Sequence, residues 1–173
     1  MIQYNKRLPS EVPMRLKQGS TLFLKIVISF IGIVTLAGMI WFPQLEGRAT
    51  NLDLPSIYKD PLIIYAYIAS IPFFVALYHA FKLLGYVDQN KVFSQFAVKT
   101  VRIIKYCALV IPVLIIAGEA FVILSAKGDD VAGPVALGIY ATFASIVIAT
   151  AVAIFEKLLQ NAVDIKSEND LTV

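Results

Sequence analysis

The chain has 173 residues, of which 58% are hydrophobic and 16% are charged, with a formal net charge of +3 and a mean hydropathy of +0.76. Soluble domains are about 45–50% apolar and about 25% charged, and a soluble core of this size could not bury so much apolar surface. The single cysteine, Cys107, lies within an apolar run and excludes an intrachain disulfide. The composition therefore predicts an integral membrane protein.

Four apolar runs follow one another along the chain, and each is long enough to cross a bilayer as a helix. We predict spans at about residues 21–42, 61–84, 103–124 and 131–155, followed by a cytoplasmic tail at 156–173. The first run is longer than a signal-peptide core and lacks an A-x-A-like site, which favours a retained span. The runs are too continuous for barrel strands. We expect an all-α membrane four-helix bundle that forms one domain over residues 1–173.

Basic residues are distributed unequally between the two sides of these spans. Twelve lie in the N-terminal segment, the loop between the second and third spans, and the C-terminal tail, against three on the opposite side. Because cytoplasmic loops carry the excess of Lys and Arg, both termini are predicted to face the cytoplasm.

The loop between the second and third spans predicts a basic amphipathic helix that leads into the third span. On a helical wheel the basic side carries Lys91, Lys99, Arg102 and Lys105. The opposite side carries Phe93, Phe96, Ala97, Val101 and Ile104. Asp88, Asn90 or Ser94 is the candidate N-cap. Such a helix either lies on an anionic membrane surface or docks a cytoplasmic partner, and the simplest alternative is a topology signal.

The C-terminal tail continues the helical pattern with an apolar stripe at Leu158, Leu159, Ala162 and Ile165. Its end, with Asp170, Leu171 and Val173, is either a docking segment or a frayed terminus. In the fourth span, a small residue recurs at every fourth position, at Ala141, Ser145, Ala149 and Ala153. Small residues let membrane helices approach closely, so we expect a helix contact within the bundle or across a homodimer.

Two ionisable side chains within the spans are candidate functional groups. Glu119 lies about 7–8 Å inside the outer boundary of the third span, where it could serve a cation or proton path or simply reach interfacial water. His79 lies near the inner end of the second span; an interfacial polar role and a pH-sensing role both fit it. Pro72 and Pro112 lie near mid-depth and predict kinks, either as a hinge or as bundle curvature.

The motifs that carry common chemistry are absent from the sequence. It contains no glycine-rich phosphate loop, no H-E-x-x-H, no C-x-x-C and no G-x-S-x-G. A lone histidine cannot build a metal site or a catalytic triad. We therefore predict no enzyme activity, no catalytic residue, and no cofactor or metal site.

Several stretches from the second span onward carry a resemblance to a known family. They are AFKLL at 80–84, DQNKVFS at 88–94, IKYCA at 104–108, KLLQNA at 157–162 and IKSENDLTV at 165–173, the last being the most specific. These stretches resemble a family of small bacterial membrane proteins described as YoaS-like, a domain of unknown function. The resemblance implies four-helix, multi-pass proteins of the bacterial cytoplasmic membrane whose genes often neighbour those of small helix-turn-helix regulators. It carries over no functional residue.

Three functional hypotheses follow. In the first, the protein is a membrane-bound regulatory or interaction partner of a cytoplasmic helix-turn-helix regulator and does not itself bind nucleic acid. In the second, it is a small cation, proton or solute transporter or channel that uses Glu119. In the third, it is a structural protein that acts by membrane packing alone.

Overall fold

The computed structural model describes residues 14–45, 58, 60–125 and 132–171, and side chains over 19–41, 58, 60–125 and 132–169. The described residues form four α-helices and no strand: α1 Met14–Leu45, α2 Pro61–Asp88, α3 Gln95–Ser125 and α4 Ala132–Leu171. Each helix contains a segment long and apolar enough to cross a membrane. The predicted all-α membrane four-helix bundle is confirmed. The orientation of the bundle in the membrane and the single-domain boundary of 1–173 stay predictions.

The connection between α2 and α3 is set by local chemistry. Asn90 adopts a left-handed backbone conformation with φ of 56°, which asparagine tolerates better than most residues, and the chain turns there. The Ser94 hydroxyl then accepts a hydrogen bond from the Ala97 amide at 3.3 Å, so Ser94 is the candidate that caps α3. Lys91 and Phe93 consequently lie in the turn before α3 and not on the helix that was expected to carry them.

Each helix packs antiparallel on its neighbour in the chain, most extensively between α3 and α4, less between α2 and α3, and least between α1 and α2. One end of the bundle holds the start of α1, the α2–α3 connection and the last part of α4. We call it the inner end, and it is the end predicted to face the cytoplasm.

The buried apolar core of the described residues lies at this inner end. It joins Ala97, Val98 and Val101 of α3 to Leu159 and Val163 of α4. We call these five residues the inner core. Along the rest of the helices most large apolar side chains are exposed, as expected of surfaces that contact lipid. The continuous core therefore forms where α3 and α4 extend beyond the predicted spans.

Candidate functional site

An ion cluster beside the inner core fixes α3 to α4. Glu156 of α4 is only 8% exposed. One of its carboxylate oxygens accepts from Arg102 Nε at 2.7 Å and the other accepts from Lys105 Nζ at 2.6 Å. Charge-assisted hydrogen bonds of this length are roughly twice as strong as neutral ones. Arg102 and Lys105, predicted to form part of an open basic face, are thus bound to a carboxylate of the same chain.

A second ion pair joins α1 to α2 at the same end. Lys25 of α1 contacts the carboxylate of Asp88 at the last position of α2. Its ammonium group also lies 5.7 Å from the centre of the Phe81 ring, a favourable cation–π arrangement. Both of these ionic contacts between helices lie at the inner end.

Two basic and two aromatic side chains of this end face outward. Lys91 and Lys99 are exposed. Phe96, on the first turn of α3, is 72% exposed, and Phe93 in the preceding turn is also exposed. The structure therefore differs from the predicted division of this helix into a basic and an apolar side. Part of the predicted apolar side lies in the inner core, and part lies on the protein surface.

The apolar stripe of α4 is divided in the same way. Leu159 is buried in the inner core, and Ala162 is half-buried. Leu158 and Ile165 are 61% and 62% exposed. They lie seven residues apart and therefore on one face of the helix. We call Leu158 and Ile165 the exposed stripe. The backbone of Asp170 and Leu171 continues α4, their side chains lie outside the described ones, and Val173 lies outside the described residues.

The small residues of the fourth span occupy different environments. Ala149 is buried, Ser145 and Ala153 are half-buried, and Ala141 is exposed. The Ser145 hydroxyl donates to the Ala141 carbonyl at 2.8 Å within α4. Their assignment as a packing stripe stays a prediction.

Glu119 lies between α3 and α4 in the outer half of the bundle. Its side chain occupies the space that a side chain at Gly138 of α4 would need, because a Cβ there would lie 1.5 Å from Glu119 Oε1. That oxygen is buried without a hydrogen-bond partner, and so is the Thr142 hydroxyl one turn farther along α4. On the neighbouring face, Tyr65 packs on Gly118 and donates to the Leu114 carbonyl at 2.5 Å.

His79 lies too far from Glu119 to form one site with it. Tyr65, on the same helix as His79, contacts the residue that precedes Glu119. His79 lies fourteen residues beyond Tyr65 along α2, which is about 21 Å at 1.5 Å per residue. His79 Nδ1 is also buried without a partner. Within the described residues, no group of three His, Cys, Asp or Glu side chains could hold a metal ion.

Glu156 is the functional-site candidate that the sequence reading missed. It is the first acidic residue after Asp130, at the inner end of a long uncharged run. An acid at that boundary, opposite the basic start of the third span, is the signal that could have indicated a pair with Arg102 or Lys105.

Four long apolar helices tied together by ion pairs at one end define a multi-pass membrane protein. The family described as "Protein of unknown function (DUF2975)" matches residues 44–173. The chain is also 46% identical over 157 residues to "Uncharacterized membrane protein YoaS" of Bacillus subtilis (strain 168), covering 89% of this chain and 98% of that protein. The chain therefore belongs to this family of membrane proteins, which confirms the resemblance. No solved structure matches it.

Proposed function

We propose that this protein is a non-enzymatic regulatory or interaction partner in the bacterial cytoplasmic membrane, and that its working surface is the inner end facing the cytoplasm. The observation that carries the proposal is the exposed stripe on a helix held in place by the ion cluster around the buried Glu156. Leu158 and Ile165 are largely exposed, while Glu156 and Leu159 on the same helix are buried against α3.

The beginning of the last part of α4 is held in one position. This part is helical from Glu156 to Leu171, and its first two turns, to Val163, pack through the inner core on the start of α3. The burial of Leu159 and Val163 shows that fraying does not reach these two turns. A helix fixed in this way presents its exposed side in one geometry, which lowers the entropy lost when a partner binds.

The exposed stripe also favours one kind of partner. An exposed apolar face at helical spacing suits an amphipathic helix of another protein. Lys99, Lys157 and Lys166 are exposed at the same end of the bundle, whereas Asp164 is engaged by Gln160 at 2.8 Å. These charges favour a partner helix with acidic flanks. A cytoplasmic helix-turn-helix regulator that docks through a helix other than its DNA-binding one fits this description.

Direct binding of nucleic acid is not part of the proposal. Arg102 and Lys105 are engaged by Glu156, and Lys25 is engaged by Asp88. Non-specific binding to DNA depends on many basic side chains that are free to contact phosphates. The alternative is that the exposed stripe binds a second copy of this chain and forms a homodimer.

The test is co-purification of the full-length protein with a small helix-turn-helix regulator encoded beside its gene. Replacing Leu158 and Ile165 together by Gln should abolish recovery of the regulator without changing the amount of membrane protein. Ser167→Gln, at an exposed position on the opposite face of α4, is the matched control and should retain recovery. Equal recovery with the Leu158/Ile165 double variant would overturn the proposal, and loss of self-association instead would assign the stripe to a homodimer.

The second candidate function is a small cation, proton or solute transporter or channel that uses Glu119. The observation that favours it is the unpartnered oxygen of Glu119 with the unpartnered Thr142 hydroxyl nearby on α4, because intramembrane acids commonly mark ion paths. Flux into proteoliposomes should then be lost in Glu119→Gln and kept in Glu168→Gln, an exposed acid at the inner end. Absence of proton and alkali-cation flux in the unmodified protein would reject it.

A further inference from the structure

A groove lies between α1 and α2 in the outer half of the bundle, away from the inner end. It encloses about 750 Å³ and is lined by Gly38 and Met39 of α1 and by Leu62, Ala66, Ser70 and Phe73 of α2, among others. We propose that this groove is a binding site for one acyl chain of a membrane lipid in the leaflet at the outer end.

The length of the groove matches one leaflet. Its lining on α2 extends from Leu62, at the start of the helix, to Phe73. Eleven residues at 1.5 Å each give about 16 Å, and half of a hydrocarbon core of about 30 Å is about 15 Å. A chain that enters beside Leu62 would therefore reach Phe73 with its terminal methyl near the bilayer centre.

The wall of the groove suits a hydrocarbon and offers little to a polar ligand. Among the described residues that line it, none carries a charged side chain. The Ser70 hydroxyl donates to the Tyr67 carbonyl at 2.7 Å and the Tyr67 hydroxyl donates to the Met39 carbonyl at 3.3 Å, so both groups are paired with backbone. The volume lies within the range of about 300–1,000 Å³ of ordinary ligand sites.

The groove is continuous with the lipid-contacting surface of the same helices. Ile64, Ile68 and Ile71 of α2 and Leu36 and Ile40 of α1 are exposed on these two helices, so a bilayer lipid can enter from the side. Small residues at Gly38, Ala66, Ala69 and Ser70 leave space between the larger side chains that line the groove. A Cβ at Gly38 would meet nothing within 4 Å.

A second copy of the chain fits the groove less well. An α-helix with its side chains is about 10–12 Å wide and would continue past mid-depth, whereas the groove ends at Phe73. A lipid chain also accounts for the sparse contact between α1 and α2, because the chain would supply the contacts that these helices do not make with each other.

The experiment uses full-length protein in nanodiscs of phosphatidylglycerol whose acyl chain carries a photoreactive diazirine, with crosslinked positions identified by mass spectrometry. A diazirine near the ester should label residues near Leu62, and one near the terminal methyl should label residues near Phe73. The proposal requires this order on α1 and α2 together with weaker labelling of the exposed faces of α3 and α4, and this comparison requires no variant. Uniform labelling along all four helices by both probes would show contact with bulk lipid only and would overturn the proposal.

The second measurement is the labelling of a variant in which larger side chains fill the groove. Gly38→Leu with Ala66→Leu should lower labelling of α1 and α2 about tenfold, since losing two buried methylenes already changes binding by about that factor. Gly133→Leu is the matched control, because a Cβ there also meets nothing within 4 Å but lies on α4; its labelling should be unchanged. Undiminished labelling in the filled variant, or crosslinks between two copies through this groove, would reject the acyl-chain site.

Discussion

The inner and outer ends of this bundle are held together by different means. At the inner end, α3 and α4 bury five apolar residues and share an ion cluster, and α1 is tied to α2 by Lys25 and Asp88. At the outer end, α1 and α2 leave a groove between them, and Glu119 lies against Gly138 with an unpartnered oxygen.

The difference teaches where the hydrophobic effect operates in such a molecule. Lipid tails are as apolar as the side chains of the spans, so burial between helices within the bilayer gains little. Where α3 and α4 extend toward water, the same burial removes apolar surface from solvent and is favourable. The predictions below test this contrast by placing matched changes at the two ends.

The largest effect is expected from truncating the inner core. Leu159→Ala should lower the free energy of unfolding by about 2–5 kcal/mol, the usual range for a buried leucine, because Leu159 is nearly inaccessible. Leu137→Ala, at an exposed position of the same helix, should change it little. Unfolding in mixed micelles by SDS titration measures both. Equal losses at the two positions would contradict the contrast.

The next effect compares one substitution at two positions. Glu156→Gln should destabilise the protein, because it removes the charge that Arg102 and Lys105 share. Glu119→Gln should leave stability unchanged or raise it, because no partner of the Oε1 atom is lost. The same SDS titration gives the sign of each change, and a larger loss at Glu119 would indicate a ligand or partner bound there.

A smaller effect is expected where Glu119 meets α4. Gly138→Ala would place a Cβ on the glutamate side chain and should cost about 1–3 kcal/mol, as overpacking usually does. Shortening Glu119 to Ala in the same protein should restore most of the loss, which a double-mutant cycle would measure as coupling. Gly133→Ala, in open space, is the control. Additive effects of the two changes would show that Glu119 does not occupy this space.

The smallest effect is expected at the pair between α1 and α2. Lys25 and Asp88 are both partly exposed, and solvent and salt screen such pairs. Lys25→Gln should give no resolved change in the thermal unfolding midpoint at physiological salt and a small decrease at low salt. A large decrease that does not depend on salt would show that α1 depends on this contact.

Much of the fold could be predicted from the sequence, because lipid imposes strong rules on length and hydropathy. Four long apolar runs can only be helices in a bilayer, and the helix that leads into the third span from the α2–α3 connection is present. The exact start of α3 was less predictable, because Asp88, Asn90 and Ser94 all suit a cap and only the left-handed turn at Asn90 selects Ser94.

The candidate site was predictable only in part. A helical wheel places Arg102 and Lys105 on one side but does not reveal that Glu156, more than fifty residues later, lies beside them. The sequence pattern indicated an apolar stripe on α4 but did not distinguish Leu158 from Leu159. Tertiary packing buries Leu159 and leaves Leu158 exposed. The functional assignments of Glu119, His79 and the basic and terminal residues stay predictions.

The continuity of α4 has a mechanical consequence. This helix is 40 residues long, contains no proline after Pro134 and runs without interruption from the outer side to its inner end. Its sixteen residues from Glu156 onward span about 24 Å, so they act as a lever arm. A tilt of about 10° within the bilayer, of the kind that accommodates a change in thickness, would move the far end by about 4 Å. This movement would require the contacts of the inner core to break or rearrange. The stability of the inner core therefore determines how far a change in membrane thickness moves the exposed stripe.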